Sequence, residues 1–212
     1  MSGDPIEVFT KVYTDRCWGD NGNPSYAGSS GFGSTLQANE ALAPVIQDII
    51  RDHRIQSVVD LGCGDFRAGR HIYGGLGMRY TGYDAYKGVV DNCNKVHSDL
   101  GTFVHADISC HAQLAPADLC VIKDVLQHWP VDKIVTFMNG LVQSRKYKHI
   151  LIINTKPSWA MQPGVDIVMG WFRGLSALEP PLDRYNAKVL CEYCIGNQSW
   201  GPDIKEVSII SN

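Results

Sequence analysis

A short apolar run that enters a glycine turn at residues 57–66 constrains the fold of this chain more than any other feature. The run SVVDL spans residues 57–61, and Gly62, Cys63 and Gly64 follow it directly. Glycine lets the backbone turn sharply and lets a ligand approach without meeting a Cβ atom. Ligands of open α/β sheets bind outside the carboxyl ends of the strands, which is where this turn would lie. The segment therefore predicts a strand with a ligand site at its carboxyl end.

The rest of the chain alternates between strand and helix patterns. Strand-like runs follow at 79–83, 102–106, 119–122 and 149–153, with helical spacing at 5–13, 36–53, 86–100 and 131–144. Two further strands, at 188–195 and 204–210, are separated by a hairpin-like break. Strands that alternate with helices need crossover connections, so the sheet should be mostly parallel. We expect one α/β domain over 1–212 with a Rossmann-like, doubly wound sheet of about seven strands and an antiparallel last strand.

Composition and charge exclude several classes of function. The 212 residues carry 19 Lys and Arg against 22 Asp and Glu, a net charge of −3, so no basic surface is expected to hold nucleic acid. No run approaches the roughly 18 apolar residues of a membrane span, and the N-terminus lacks the apolar stretch of a secretory signal. The seven cysteines are scattered and odd in number, which favours reduced thiols. We therefore expect a cytoplasmic protein with neither nucleic acid nor membrane as a partner.

The charges around the glycine turn indicate which ligand it takes. A dinucleotide fingerprint would need glycine at position 67, where this chain has Arg67. Asp60 and Asp65 would also repel a pyrophosphate, whereas an acid two residues before the first glycine suits a cation. S-adenosylmethionine carries an ammonium and a sulfonium and no phosphate. The charge pattern therefore favours this cofactor over NAD.

Two more acids lie at the ends of the next strands. Asp84 ends the second strand, where an acid can bind ribose hydroxyls, and Asp107 ends the third. With the glycine pair, these acids resemble the class I S-adenosylmethionine-dependent methyltransferases. The resemblance implies that Asp60, Gly62 and Gly64 line the methionine moiety, Asp84 the ribose, and Asp107 and Ile108 the adenine.

The chain is further similar to a CGD-type subgroup of that family. Phe66 stands where the commonest form has a further glycine, and Trp18-Gly19 and the 31–34 segment GFGS precede the turn. Members of this subgroup are sometimes encoded beside glycosyltransferases, so association with a glycosyltransferase is implied. We expect 1–34 to form an N-terminal helix and a glycine-rich lid over the cofactor, with Trp18 and Ser34 as the anchors of the lid.

The segment after the fourth strand supplies the candidate catalytic residues. His128 is the candidate general base because the pKa of histidine lies near neutrality, and Asp124 could orient it or bind an acceptor hydroxyl itself. His128 could also be a helix-start residue with a packing role only. A divalent metal is possible but not favoured, because Asp124 and Asn154 are the only obvious oxygen ligands there.

The acceptor is expected at an insertion over 157–187, after the fifth strand. Asp166, Trp171 and Arg173 are its candidate substrate residues, with Trp159 as a further aromatic. Aromatic platforms with a few charges suit stacking against a sugar, although the tryptophans could simply cap the sheet. The leading hypothesis is O-methylation of a sugar, a glycan or another small-molecule hydroxyl. The alternatives are an N-methyltransferase for a small amine or a protein terminus, and a non-catalytic cofactor-binding partner of a glycosyltransferase.

Overall fold

The computed structural model describes residues 3–157, 165–198 and 201–212 of the chain. Six α-helices lie in the described residues, and they are α1 Pro5–Thr14, α2 Leu36–Asn39, α3 Leu42–Asp52, α4 Arg67–Tyr73, α5 Lys87–Val96 and α6 Val131–Ser144. The strands are β1 Ser57–Leu61, β2 Arg79–Asp84, β3 Thr102–His105, β4 Ala117–Lys123, β5 Tyr147–Thr155, β6 Lys188–Gln198 and β7 Gly201–Ser211. None of the helices in these ranges is long and apolar enough to cross a membrane.

The fold class predicted from the sequence is confirmed. The strand order of the seven-stranded sheet is β3-β2-β1-β4-β5-β7-β6. Strands β1, β2 and β3 pair in parallel, as do β4 and β5, whereas β7 is antiparallel to both β5 and β6. The chain divides into two compact units, Met1–Ile108 and Ser109–Asn212. The boundaries of a single functional domain over 1–212 stay a prediction.

Local sequence explains the well-predicted elements. Asp4 caps α1 by accepting a hydrogen bond from the Ile6 amide, and Pro5 occupies the first turn, where its missing N–H is not needed. The apolar run of β5 from Ile150 to Ile153 is buried throughout, as expected for an interior strand covered on both faces.

The structure corrects two predicted helices and adds one that was not predicted. The stretch 36–53 forms two helices, α2 and α3, because the buried Asn39 side chain donates to the carbonyl oxygens of Gly33 and Thr35 and so competes with the helical backbone pattern. Helix α5 ends at Val96 rather than at 100. Helix α4 was not predicted, since it is one short segment that contains a glycine and follows Phe66 in a left-handed conformation (φ 59°).

The last two strands are longer than predicted. Register between β6 and β7 runs from Lys188↔Ile209 to Gln198↔Gly201, so the pairing continues into the segment that was expected to be a broad break. Residues 199–200, within that expected break, lie outside the described part of the chain.

Candidate functional site

The glycine turn after β1 folds back onto the end of β2, within the unit Met1–Ile108. The amides of Gly62 and Cys63 both donate to the carbonyl oxygen of Tyr83, at 2.8 and 3.0 Å. Gly62 and Gly64 have φ values of 77° and 56°, in the left-handed region where glycine meets no Cβ penalty. The positions of both glycines therefore follow from the backbone conformation of the turn.

Asp84 is the acid most closely tied to this turn. Its two carboxylate oxygens accept the amides of Gly64 at 3.0 Å and Tyr86 at 2.9 Å. Burial raises the pKa of Asp84, although these amide hydrogen bonds act in the opposite direction. A carboxylate offers about four acceptor sites, so Asp84 keeps acceptor capacity for a hydroxyl donor. Both amide partners are neutral, and the charge of His105 also acts to lower the pKa of Asp84.

Asp60 is also buried, and it accepts a hydrogen bond from the Tyr80 hydroxyl at 2.8 Å. Asp65 lies in the same turn, where it forms an ion pair of 2.9 Å with Arg67. Three carboxylates, those of Asp60, Asp65 and Asp84, thus lie in or next to this turn. Their concentration of negative charge suits a cationic ligand and disfavours a phosphate, as the sequence argument expected.

The space beside Gly64 is used differently from the prediction. A Cβ atom at Gly64 would lie 2.8 Å from the Oγ of Ser30, which accepts the Asp65 amide at 2.9 Å and contacts the Tyr13 hydroxyl at 2.8 Å. Glycine is therefore required at 64 to admit the side chain of Ser30. The contact of Gly64 with the cofactor stays a prediction.

Trp18 and Ser34, the predicted lid anchors, both make contacts within this unit. The Trp18 ring packs edge-on against Tyr13, with centroids 5.8 Å apart. The hydroxyl of Ser34 lies 3.2 Å from a guanidinium nitrogen of Arg67. These contacts place both residues beside the turn, and their roles as cofactor ligands and lid anchors stay predictions.

The predicted adenine-binding residues follow β3. Asp107 is half-buried and Ile108 is buried. An apolar side chain beside a carboxylate suits an adenine ring and its amino group. The assignment of Asp107 and Ile108 to adenine binding stays a prediction.

Asp124 lies in the second unit, directly after β4, in a left-handed conformation with φ 57°. Its two oxygens bind the ammonium groups of Lys123 at 2.8 Å and Lys205 at 2.6 Å, and Lys205 also donates to Thr155 at 2.7 Å. Burial acts to raise the pKa of Asp124, but the charges and hydrogen bonds of the two lysines hold it well below its usual range. Asp124 is therefore a carboxylate that is already neutralised by its neighbours.

This ion pairing argues against two roles considered for Asp124, those of general base and metal ligand. A carboxylate with so low a pKa is a poor general base, because it binds a proton only weakly. Its lysine partners would also have to be displaced before a divalent cation could bind. Among residues 3–157, 165–198 and 201–212, no group of three or more His, Cys, Asp and Glu side chains is placed to hold a metal ion.

His128 is half-buried in a short 3₁₀ turn after β4. Its Nδ1 lies 2.9 Å from the carbonyl oxygen of Trp171. Because a carbonyl only accepts, Nδ1 carries the proton and Nε2 holds the lone pair in the neutral ring. Burial lowers the pKa of His128, although the Trp171 hydrogen bond and the charge of Asp124 oppose the shift. The orienting partner is thus the Trp171 carbonyl, which corrects the expectation that Asp124 orients the ring by a hydrogen bond.

The two charged members of the expected acceptor insertion have structural partners. Arg173 is buried, and its guanidinium donates to Asp166 at 2.9 Å and to the Trp129 carbonyl at 2.7 Å. Asp166 also accepts the amide of Val131 at 2.9 Å, at the start of α6. These two residues therefore fix the segment to the start of α6, which is a different role from the expected contact with substrate. Residues 158–164, including Trp159, lie outside the described residues.

Trp171 is the aromatic member of this set, and it faces solvent. Its exposed fraction is 68%, while its backbone carbonyl holds His128. The neighbouring Phe172 ring lies 5.8 Å from the imidazole, between centroids. Exposed aromatic surface beside a candidate base is the arrangement that a stacking acceptor would need.

Sequence reasoning missed three residues that organise these sites. Tyr13 and Ser30 fix the glycine turn, and Lys205 neutralises Asp124. Ser30 and Asp65 are 35 positions apart, and Lys205 and Asp124 are 81 apart. No local motif signals pairs at such separations.

No family model and no curated protein matches this chain. Among solved structures, it is similar to TehB from Haemophilus influenzae, with a TM-score of 0.59 and 14% identity over 80% of this chain. It spans 62% of that TehB chain, which is less than two thirds of its length.

Two other solved structures match over nearly their whole length. The N-methyltransferase NodS from Bradyrhizobium japonicum WM9, in complex with S-adenosyl-L-homocysteine, has a TM-score of 0.64 and 12% identity over 99% of each chain. The magnesium protoporphyrin IX methyltransferase ChlM from Synechocystis PCC 6803, with bound S-adenosyl-L-homocysteine, has a TM-score of 0.63 and 14% identity over 97% of this chain and 99% of its own. The chain therefore has the fold of S-adenosylmethionine-dependent methyltransferases.

Proposed function

We propose that this protein is an S-adenosylmethionine-dependent methyltransferase. The observation that carries the proposal is the buried Asp84 carboxylate, bound to the Gly64 amide at the acidic glycine turn. Its charge is uncompensated by any lysine or arginine in these contacts, which suits a cationic ligand with hydroxyl groups. The likeness in fold to methyltransferases solved with S-adenosyl-L-homocysteine supports the same reading.

The residues of the first unit would hold the cofactor. Asp84 accepts from the ribose hydroxyls, and the acidic surroundings of the turn attract the ammonium and sulfonium groups. The remaining cofactor contacts in this proposal are Trp18, Ser34, Asp60, Gly62, Gly64, Asp107 and Ile108. When bound, S-adenosylmethionine supplies a methyl group on a sulfonium, which is electrophilic without further activation.

His128 is the general base in this proposal. A hydroxyl acceptor attacks efficiently only when it loses its proton, and a positioned base contributes typically 10²–10⁴-fold. The Trp171 carbonyl fixes the proton on Nδ1, so Nε2 is the atom that receives the proton of the acceptor. Burial lowers the pKa of His128 and so keeps the ring neutral and ready to accept at neutral pH. Asp124, held by its two lysines, acts on His128 through its charge, which opposes the lowering of the histidine pKa.

We infer that the acceptor is a hydroxyl of a sugar or glycan that stacks on Trp171. The exposed indole of Trp171, whose carbonyl holds His128, and the exposed Phe172 ring against the imidazole support this, because aromatic rings bind the apolar faces of sugar rings. Asp166 and Arg173 would serve this acceptor indirectly, by holding the segment that carries Trp171. Association with a glycosyltransferase rests on the sequence resemblance alone.

A second candidate is N-methylation of a small amine or a protein terminus. The observation that favours it is the structural likeness to NodS, which is an N-methyltransferase. A neutral amine needs no strong base, so His128→Ala would leave its methylation nearly unchanged. The same substitution should lower the methylation of a hydroxyl by about 10²–10⁴-fold.

The test combines binding and turnover. Titration calorimetry should detect S-adenosyl-L-homocysteine and S-adenosylmethionine but not NAD. Labelled S-adenosylmethionine is then incubated with the protein and a panel of sugars, phenols and amines, with and without chelator. Binding of NAD as tight as that of the methyl donor would refute the cofactor assignment. Cofactor binding without transfer to any acceptor would favour a non-catalytic module.

A further inference from the structure

A closed cycle of contacts joins α1, the glycine-rich stretch 19–34 and the turn after β1. Its members lie in one unit, and they are Tyr13, Ser30, Gly64, Asp65, Asp84 and Tyr86. We call this set the contact cycle. Each neighbouring pair in it is linked by a hydrogen bond, a peptide bond or a stacked ring pair.

One half of the contact cycle runs through Ser30. The hydroxyls of Tyr13 and Ser30 lie 2.8 Å apart, and the Asp65 amide donates to the Oγ of Ser30 at 2.9 Å. Gly64 precedes Asp65, and its absent Cβ leaves the room in which the hydroxyl of Ser30 sits. Ser30 therefore sets the position of the peptide that links Gly64 to Asp65.

The other half runs through Asp84. Its carboxylate accepts the amide of Gly64 at 3.0 Å and the amide of Tyr86 at 2.9 Å. The ring of Tyr86 stacks on Tyr13, with centroids 4.5 Å apart and planes inclined by 23°. The Asp84 carboxylate is thus held between the amides of Gly64 and Tyr86. Ser30 fixes the Gly64 side through its bond to Asp65, and Tyr13 fixes the Tyr86 side by ring stacking.

The buried position of Tyr13 makes this link specific. Only 3% of Tyr13 is exposed, and burial, together with the charge of Asp84, raises the pKa of its hydroxyl, which therefore stays protonated. Loss of that hydroxyl would remove one hydrogen bond and leave the bond from Asp65 to Ser30 in place. The contact cycle can therefore be opened at one point while the stacked rings remain.

We propose that Tyr13 and Ser30 are positioning residues for the Asp84 carboxylate. They hold the turn and Tyr86 so that Asp84 presents its remaining acceptor sites to the cofactor. Neither residue needs to contact the ligand to act in this way. This inference rests on the proposed function of Asp84 as a ribose-binding group. By linkage, a ligand held by Asp84 stabilises the contact between Tyr13 and Ser30 in return.

The experiment compares single hydroxyl deletions by titration with S-adenosyl-L-homocysteine. Tyr13→Phe should weaken binding by about 3- to 10-fold, as expected for the loss of one hydrogen bond, and Ser30→Ala, which removes two, should weaken it by at least as much. The affinity of the double variant should lie within about 2-fold of that of Ser30→Ala alone, because both changes break the same link between Tyr13 and Ser30. Tyr26→Phe is the matched control, because its hydroxyl binds Asn21 in the same stretch and its ring also contacts Tyr86.

A second readout separates positioning from general stabilisation. Thermal unfolding reports any loss of stability, and hydrogen exchange reports the amides of Gly64 and Tyr86, which donate to Asp84. Ligand should protect these two amides less in Tyr13→Phe than in the wild type. Tyr26→Phe should keep the full protection and bind within 2-fold of the wild type, whatever its melting temperature.

The outcomes distinguish this inference from the proposed function. If the wild type fails to bind S-adenosyl-L-homocysteine, the proposed function fails first and this inference with it. If the wild type binds and both Tyr13→Phe and Ser30→Ala bind within 2-fold of it, only this inference is overturned. Equal losses of affinity in Tyr13→Phe and Tyr26→Phe would also overturn it, because they would indicate a general loosening of the stretch 19–34.

Discussion

Replacement of Gly64 by alanine tests the account of the turn most directly, because two separate penalties apply at that position. The residue has φ 56°, where a Cβ atom costs about 1–2 kcal/mol. That Cβ would also lie 2.8 Å from the Oγ of Ser30 and 3.0 Å from its Cβ. Ser30 would have to move, and its two hydrogen bonds are worth about 0.5–1.5 kcal/mol each. The expected loss in the free energy of unfolding is therefore about 2–5 kcal/mol.

Gly77→Ala is the matched control for the backbone penalty. Gly77 has φ 67°, and no atom lies within 4 Å of the position that its Cβ would take. Alanine there should lose about 1–2 kcal/mol for the same conformation. The gain from restricting the unfolded chain is similar for both substitutions and cancels in the comparison. The difference between the variants isolates the contact with Ser30.

Urea unfolding followed by circular dichroism measures both variants, and calorimetry measures their affinity for S-adenosyl-L-homocysteine. Each kcal/mol lost from the free energy of unfolding should also lower the melting temperature by about 2–4 °C in a chain of this size. Gly64→Ala should also bind more weakly, because its amide positions Asp84. If Gly64→Ala is no less stable than Gly77→Ala, Ser30 does not occupy the space beside Gly64 and the reasoning is wrong.

Two further predictions concern the second unit. The rate of methyl transfer should rise with pH through a pKa below about 6.5, since burial favours neutral His128, and a profile unchanged in His128→Ala would exclude this base. Asp124→Asn should destabilise the fold by about 3–5 kcal/mol in urea unfolding, because it leaves the buried Lys205 without its carboxylate. Because the folded pKa of Asp124 is depressed, its stabilising effect is present above about pH 3.9 and is lost as pH falls through the folded value. A variant as stable as the wild type at pH 7 would contradict this ion-pair account.

The sequence predicted the strands and the glycine turn because their signals are local. An isoleucine-rich apolar run such as that of β5 specifies an interior strand within a few residues, and an acid at a strand end can be read directly, as for Asp84. Helix α4 escaped prediction because seven residues with a central glycine carry little periodic signal. The predicted helix over 36–53 was wrong near its start, where the Asn39 side chain binds backbone carbonyl oxygens and the helix is interrupted at residues 40–41.

The site was less predictable because its decisive contacts join distant segments. Asp124 and His128 share a short stretch, which suggested that they form a pair. In the structure, Lys205 comes from β7 to bind Asp124, and Trp171 comes from beyond β5 to bind His128. Charge at a strand end is visible in the sequence, but the groups that neutralise or orient it are supplied by the tertiary fold.

The difference between Asp84 and Asp124 leads to a final prediction about ligand binding and pH. Lysine charges lower the pKa of Asp124, whereas burial raises the pKa of Asp84 against the opposing amide hydrogen bonds and the charge of His105. Hydroxyl donors and a cationic ligand favour the ionised form of Asp84, so binding shifts its titration downwards and releases protons in the acid range. Affinity for S-adenosylmethionine should therefore fall as pH is lowered from neutrality through the raised pKa of Asp84. Calorimetry in buffers of different ionisation enthalpy measures the proton release, and Asp84→Asn should bind more weakly with no such dependence. Equal pH dependence in the wild type and Asp84→Asn would show that another group titrates and that Asp84 does not hold the cofactor.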